Sequence, residues 1–172
     1  MKTTDGFQQS YNAQAAVDAE SQVIVAATLT NKANDMQELE PLVNEIESHA
    51  GELPRELSAD AGYSSEHNLA VLIEHGIRGY VATGRQKHGT PSATREKRPE
   101  TPLRRDMWRR LRQGGWTSRY RLRKHTVEPV FGQIKECRNF RRFLHRGLEK
   151  VSAEWTMLCT AHNLLKLAGA RG

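Results

Sequence analysis

Two acids and a lysine stand out by type and setting. Asp60 ends the short run Leu57-Ser58-Ala59-Asp60, just before Gly62. Glu128 closes the most basic part of the chain, Arg119-Tyr120-Arg121-Leu122-Arg123-Lys124-His125-Thr126-Val127-Glu128. On one helix, Glu128, Phe131 and Lys135 share a side, so a carboxylate could face a metal while the lysine faces phosphate. Carboxylates suit Mg²⁺ or Mn²⁺, hard ions that take oxygen ligands. Two such ions can activate a water or a 3′-hydroxyl and stabilise the leaving oxygen of an in-line displacement. Each acid also has an ordinary role open to it. Asp60 fits a turn or cap residue. Glu128 fits an exposed helix carboxylate paired with Lys124 four residues earlier, worth a few tenths of a kcal/mol.

The elements that must position these residues follow from local patterning. Residues 11–30 read as a β-hairpin with its turn at Asp18-Ala19-Glu20-Ser21. Its return run, Val23 to Leu29, is apolar on both faces and should be covered on both. Leu39, Leu42, Val43 and Ile46 follow the stripe of a helix, with Asp35 and Glu38 fitting a capping box and Pro41 kinking or delaying it. Leu57–Asp60 is a short strand, Ser65 caps a helix to about His75, Gly76 ends it, and Gly79–Ala82 is a second strand. Such a strand-helix-strand unit should be parallel and right-handed, which puts Asp60 at a carboxyl strand end, where open α/β sheets place ligands.

Residues 83–102 read as a long basic loop. Leu103, Met107 and Leu111 then outline a helix with Arg104, Arg105, Arg109, Arg110 and Arg112 on its other face. Val127, Val130, Phe131 and Ile134 form one later apolar stripe, and Trp155, Leu158, His162 and Leu165 another.

With 172 residues, 37% hydrophobic and 27% charged, the chain suits one globular domain. It has no run of about 18 apolar residues, the length a membrane span needs, and no apolar segment behind Met1, so neither a membrane nor a secretory role is expected. Cys137 and Cys159 make no disulfide framework and read as reduced cytosolic thiols, which points to the cytoplasm. Cys137, His145, Cys159 and His162 match no zinc spacing. Residues 1–80 hold 4 Lys/Arg and 13 Asp/Glu, and residues 81–172 hold 22 and 7, so a half of charge −9 joins one of +15. A polyanion is the partner such a balance fits, DNA or RNA first.

Several ordered motifs carry a resemblance. Ala59-Asp60-Ala61-Gly62-Tyr63 is similar to the segment around the second catalytic aspartate of bacterial insertion-sequence transposases of the DDE class. Val127-Glu128-Pro129-Val130-Phe131-Gly132-Gln133-Ile134-Lys135 resembles the segment carrying their catalytic glutamate. Arg138-Asn139-Phe140-Arg141-Arg142-Phe143, Ala161-His162-Asn163-Leu164, the hairpin Tyr11–Asp18 and Thr30–Asp35 also look like family pattern, and the likeness covers nearly the whole chain.

By that resemblance the fold is α/β and RNase H-like, a mixed sheet flanked by helices. The partner is DNA, the ends of an insertion sequence, and the activity is metal-dependent strand cleavage and transfer. Asp60 and Glu128 would be catalytic metal ligands. Lys124 (where the family usually has an arginine), Lys135, Arg138, Arg141 and Arg142 would hold the DNA backbone. The resemblance also implies a first, central strand bearing the first aspartate, and only two strands precede the helix near Asp35. The expectation is therefore a single catalytic-domain fragment over 1–172, the C-terminal portion of a transposase. It lacks that strand, holds Mg²⁺ or Mn²⁺ weakly and is inactive alone. Asp18, at the hairpin turn, is the one substitute first acid in place. An unpaired strand edge invites association with a second copy or with full-length transposase. The alternative function is a non-catalytic DNA-binding remnant acting by interference.

Overall fold

The computed structural model describes residues 2–3, 6–7, 10–32, 34–84, 99–114 and 122–170. After two short paired strands, β1 (Lys2–Thr3) and β2 (Gly6–Phe7), comes the hairpin β3 (Asn12–Val17) and β4 (Ile24–Thr30). It is antiparallel, running from Asn12 opposite Thr30 to Ala16 opposite Ala26, with an irregularity at Val17. The turn falls where the sequence puts it. Asp18 Oδ2 accepts from the Ser21 N–H at 2.8 Å, the Ser21 hydroxyl at 2.7 Å and the Glu20 N–H at 3.2 Å. Gln22 takes a left-handed φ of 58°, which costs a non-glycine residue about 1 kcal/mol or more. Three hydrogen bonds to later helices hold it there.

Helix α1 (Leu39–Ala50) buries Leu39, Leu42, Val43 and Ile46, the expected stripe, and accommodates Pro41 in its first turn. The strand β5 (Glu56–Ala59), helix α2 (Glu66–Glu74) and strand β6 (Arg78–Val81) form the expected parallel unit, with Glu56 opposite Arg78 and Ala59 opposite Val81. Ser65 caps α2 by accepting from the Asn68 N–H at 3.1 Å. At Gly79 a Cβ would lie 2.7 Å from Leu72 Cδ1, so the missing side chain lets α2 lie close on β6. Helix α3 (Pro102–Gly114) sends Met107 into the same core. Most of the basic stretch expected at 83–102 lies outside the described residues.

The last third is helical. Helix α4 (Leu122–Gly132) contains Pro129 and runs into a π-helical turn, Gln133–Cys137, a common place for a helix to absorb an extra residue. Helix α5 (Leu148–Gly169) follows. One face of the hairpin packs against α4 and α5 through Ile24, Val130, Ile134 and Trp155, the other against α1 through Ala26, Leu42 and Ile46. That is the two-sided burial expected of β4.

The result is a mixed α/β protein with small sheets flanked by helices. Its strands form separate two-stranded ladders among the described residues: β3 pairs only β4, and β5 only β6. Helix α1 spans both, with Leu39 and Val43 in the core of the parallel unit and Leu42 and Ile46 in that of the hairpin.

Two local expectations are corrected. Asp35 does not cap α1, because its carboxylate is taken by Asn12 and Gln14 of β3; the cap position is Glu38. Leu165 is 61% exposed, and α5 buries Val151, Trp155, Cys159 and His162 instead. Several arginines on the other face of α3 make contacts within the fold. Arg104 donates to Ser64 Oγ and the Thr83 carbonyl (3.2 Å each), Arg110 to the Gly79 carbonyl at 3.0 Å, and Arg109 pairs with Asp106 at 3.0 Å.

Candidate functional site

Asp60 lies one residue beyond β5, exposed, with an extended backbone. Its Oδ1 accepts from the Gly62 N–H at 2.8 Å, the Asx geometry that opens the single 3₁₀ turn Ala61–Tyr63. The role of turn residue and an outward carboxylate therefore coexist.

A second acid, not picked out as a site residue from the sequence, stands beside it. A Cβ on Gly62 would collide with Asp35 Oδ2 and lie 3.0 Å from Asp60 Oδ1, so both oxygens flank one point. The other oxygen of Asp35 accepts from the Asn12 side chain and, at 2.8 Å, from Gln14 Nε2. Tyr63 feels the cluster. Burial first, then the negative charges of Asp35, Asp60 and Glu38, push its hydroxyl well above the usual phenol range. The signal that could have found Asp35 is the alternation in β3, which places polar Asn12 and Gln14 on one side of a strand otherwise rich in alanine.

Glu128 is exposed on α4. One turn on, Phe131 stacks on Trp155 with centroids 6.0 Å apart, and Lys135 Nζ lies 5.9 Å from the Phe131 ring. Lys124 falls in the first turn of α4. Arg142 is exposed, Arg141 pairs with Glu136 at 2.6 Å, and Arg138 is half-buried with Nε and Nη1 covered and unpartnered among the described residues.

Asp18 sits at the turn end of the hairpin, whereas Asn12, which touches Asp35, is at the open end. Six residues of strand, about 20 Å, separate the two ends. Among the described residues no group of three or more His, Cys, Asp or Glu side chains is arranged to hold a metal ion.

The helices that carry the later motifs are locked to the hairpin by polar contacts. His162, fully buried, donates from Nε2 to the Gln22 carbonyl at 3.0 Å. The Asn163 amide accepts from and donates to the backbone of Ile24, at 2.8 Å each way, as a neighbouring strand would. Lys166 reaches Gln22 Oε1 at 2.6 Å, and Gln22 Nε2 donates to the His125 carbonyl at 3.1 Å. Buried Glu154 accepts from the N–H groups of Leu144 (2.9 Å) and His145 (3.2 Å), ordering the loop that carries the Arg138–Phe143 motif. The Cys159 thiol is pushed up to about 12 by burial and then by the charge of Glu45, which makes it a packing group.

Comparison with known proteins now adds the family. The family described as Transposase DDE domain matches residues 1–164, and the chain belongs to it. No curated protein and no solved structure matches the chain. No described helix is long and apolar enough to cross a membrane.

Proposed function

We propose that this chain is the catalytic-domain portion of an insertion-sequence DNA transposase, acting in metal-dependent cleavage and transfer of DNA strands in the cytoplasm. The observation that carries the proposal is the exposed Asp60 at the carboxyl end of parallel β5, within a family match spanning nearly the whole chain. Asp60 and Glu128 are assigned as metal ligands, and their carboxylate oxygens fit Mg²⁺ or Mn²⁺. When bound, the ion supplies Lewis-acid stabilisation to the attacking and leaving oxygens of phosphoryl transfer. The chain's own residues do the holding. Lys135 and Arg142 are exposed and assigned to DNA phosphates, and Lys124, Arg138 and Arg141 are assigned the same role. Trp155 keeps α4 in register with β3, since its Nε1 donates to the Gln14 carbonyl at 3.0 Å while its ring stacks on Phe131.

The frame we assign is RNase H-like. Supporting it, α1 packs across both ladders, as it would across one sheet, and among the described residues the ladders are unjoined, as they would be around a missing middle strand. With Asp18, at the hairpin turn, as the substitute first acid, we assign a weakly held metal and a chain that is inactive alone. The unpaired ladder edges suit association with a second copy or a full-length transposase.

A nicking assay on supercoiled DNA with Mg²⁺ or Mn²⁺ tests the reading. Nicking by the chain alone that is abolished by Asp60→Asn shows an active enzyme. Salt-sensitive binding without cleavage fits the incomplete site, and cleavage restored by a full-length partner then separates it from a remnant that acts only by interference. No DNA binding at low salt contradicts both.

A further inference from the structure

We infer that Leu144 is an apolar wedge that enters a DNA duplex between base pairs, on a loop whose arginines meet the phosphates. The inference rests on the DNA assignment above and adds a residue to which that assignment gives no role. Leu144 is 77% exposed, the most exposed of the large apolar side chains described. A lone surface leucine needs no explanation, but this one is held in place. Both carboxylate oxygens of Glu154 accept from the Leu144 N–H, at 2.9 and 3.1 Å, and one also accepts from the His145 N–H at 3.2 Å. Glu154 is itself buried, and a carboxylate is costly to bury without such partners. Before Leu144, Phe143 packs edge-on against Tyr11, with centroids 6.1 Å apart, and against Phe140, 5.3 Å apart. After it, the Gly147 N–H donates to the Tyr11 hydroxyl at 2.9 Å, and the Gly147 carbonyl accepts from Val151 at 3.0 Å. The loop is fastened on both sides of a side chain that it leaves in solvent.

The surroundings favour one partner. Residues 137–148 hold four arginines and no acid. Arg141 pairs with Glu136, while Arg142 and Arg146 are exposed and make no ion pair among the described residues. A second copy of the chain would bring the same positive charge to this contact, and a membrane surface takes a broad apolar face rather than one side chain. A DNA duplex offers phosphates to the arginines and stacked bases to the leucine. An apolar side chain that parts a base step kinks the duplex and pays for the unstacking with wider contact. The cost is least where the step is already loosened, as at a mismatch.

Binding of the full chain to two duplexes of equal length tests this, one fully paired and one with a single central mismatch. Each carries 2-aminopurine beside the centre and an end label, so that anisotropy reads affinity and 2-aminopurine emission reads unstacking. The unaltered chain is expected to bind the mismatched duplex about tenfold more tightly and to raise its emission. Leu144→Ala changes an exposed side chain and leaves the Glu154 clamp in place. It is expected to bind both duplexes equally, with the affinity of the unaltered chain for the paired one, and to leave emission unchanged. A preference kept by Leu144→Ala, or equal binding of both duplexes by the unaltered chain, overturns the wedge and leaves DNA binding standing. No binding to either duplex at low salt removes both. Self-association in sedimentation that Leu144→Ala abolishes, with no preference between the duplexes, makes Leu144 a contact between copies and overturns the inference.

Discussion

Gln14 donates its side-chain amide to Asp35 at 2.8 Å while its carbonyl accepts from Trp155 at 3.0 Å. One residue of β3 thus reaches toward the loop of Asp60 on one side and, through Trp155 and Phe131, toward the helix of Glu128 on the other. The two acids stand next to residues of different cores, Asp60 beside Ala59 and Glu128 two residues before Val130.

Removing that link should loosen the junction. Trp155→Phe keeps the stacked ring and leaves the Gln14 carbonyl without its donor, at a cost of about 1–3 kcal/mol. Denaturant unfolding checks this, and an unchanged midpoint would mean that the bond contributes nothing.

Glu154 is a buried acid spent on two backbone N–H groups. Glu154→Ala should destabilise by about 1–3 kcal/mol and speed amide exchange at Leu144 and His145. Hydrogen exchange read at those two amides is the check.

At Gly79 the missing side chain makes room for Leu72. Gly79→Ala should cost about 1–3 kcal/mol by overpacking, and the second change Leu72→Val should recover part of it. Thermal unfolding of the single and double variants decides.

Asp18 supplies a pH dependence. Hydrogen bonds from the Ser21 hydroxyl and then the Ser21 N–H hold its carboxyl below the usual range, against a smaller push upward from burial. A depressed acid contributes stability that is present above its unfolded value of about 3.9 and is lost as pH falls through the folded value. Asp18→Ala should therefore lower stability near neutral pH, and its difference from the unaltered chain should shrink on acidification below about pH 4. Urea melts across that range measure it.

What the sequence reveals and what it hides divides along contact distance. Ser65, Gly76 and the Asp18 turn are legible because each acts on a backbone group a few residues away. Trp155 and His162 are legible as buried because helix periodicity repeats every turn, although the face rotates toward Val151 and Cys159 and leaves Leu165 outside. Asp35 is misread for the opposite reason. The capping rule weighs only the next few residues, and the amides that claim its carboxylate come from β3. Asn163 likewise pairs with a strand 139 residues earlier, which no local pattern encodes. For the site, motif and strand end mark Asp60, while Glu128 rests on its motif and helix face alone.

The central claim is that Asp60 and Glu128 serve one cation. An anomalous difference map from crystals of the chain grown with Mn²⁺ tests it most directly. The account predicts a peak contacted by carboxylate oxygens of both residues. A peak that touches neither, or Asp60 and Glu128 facing opposite sides of the molecule, would contradict it.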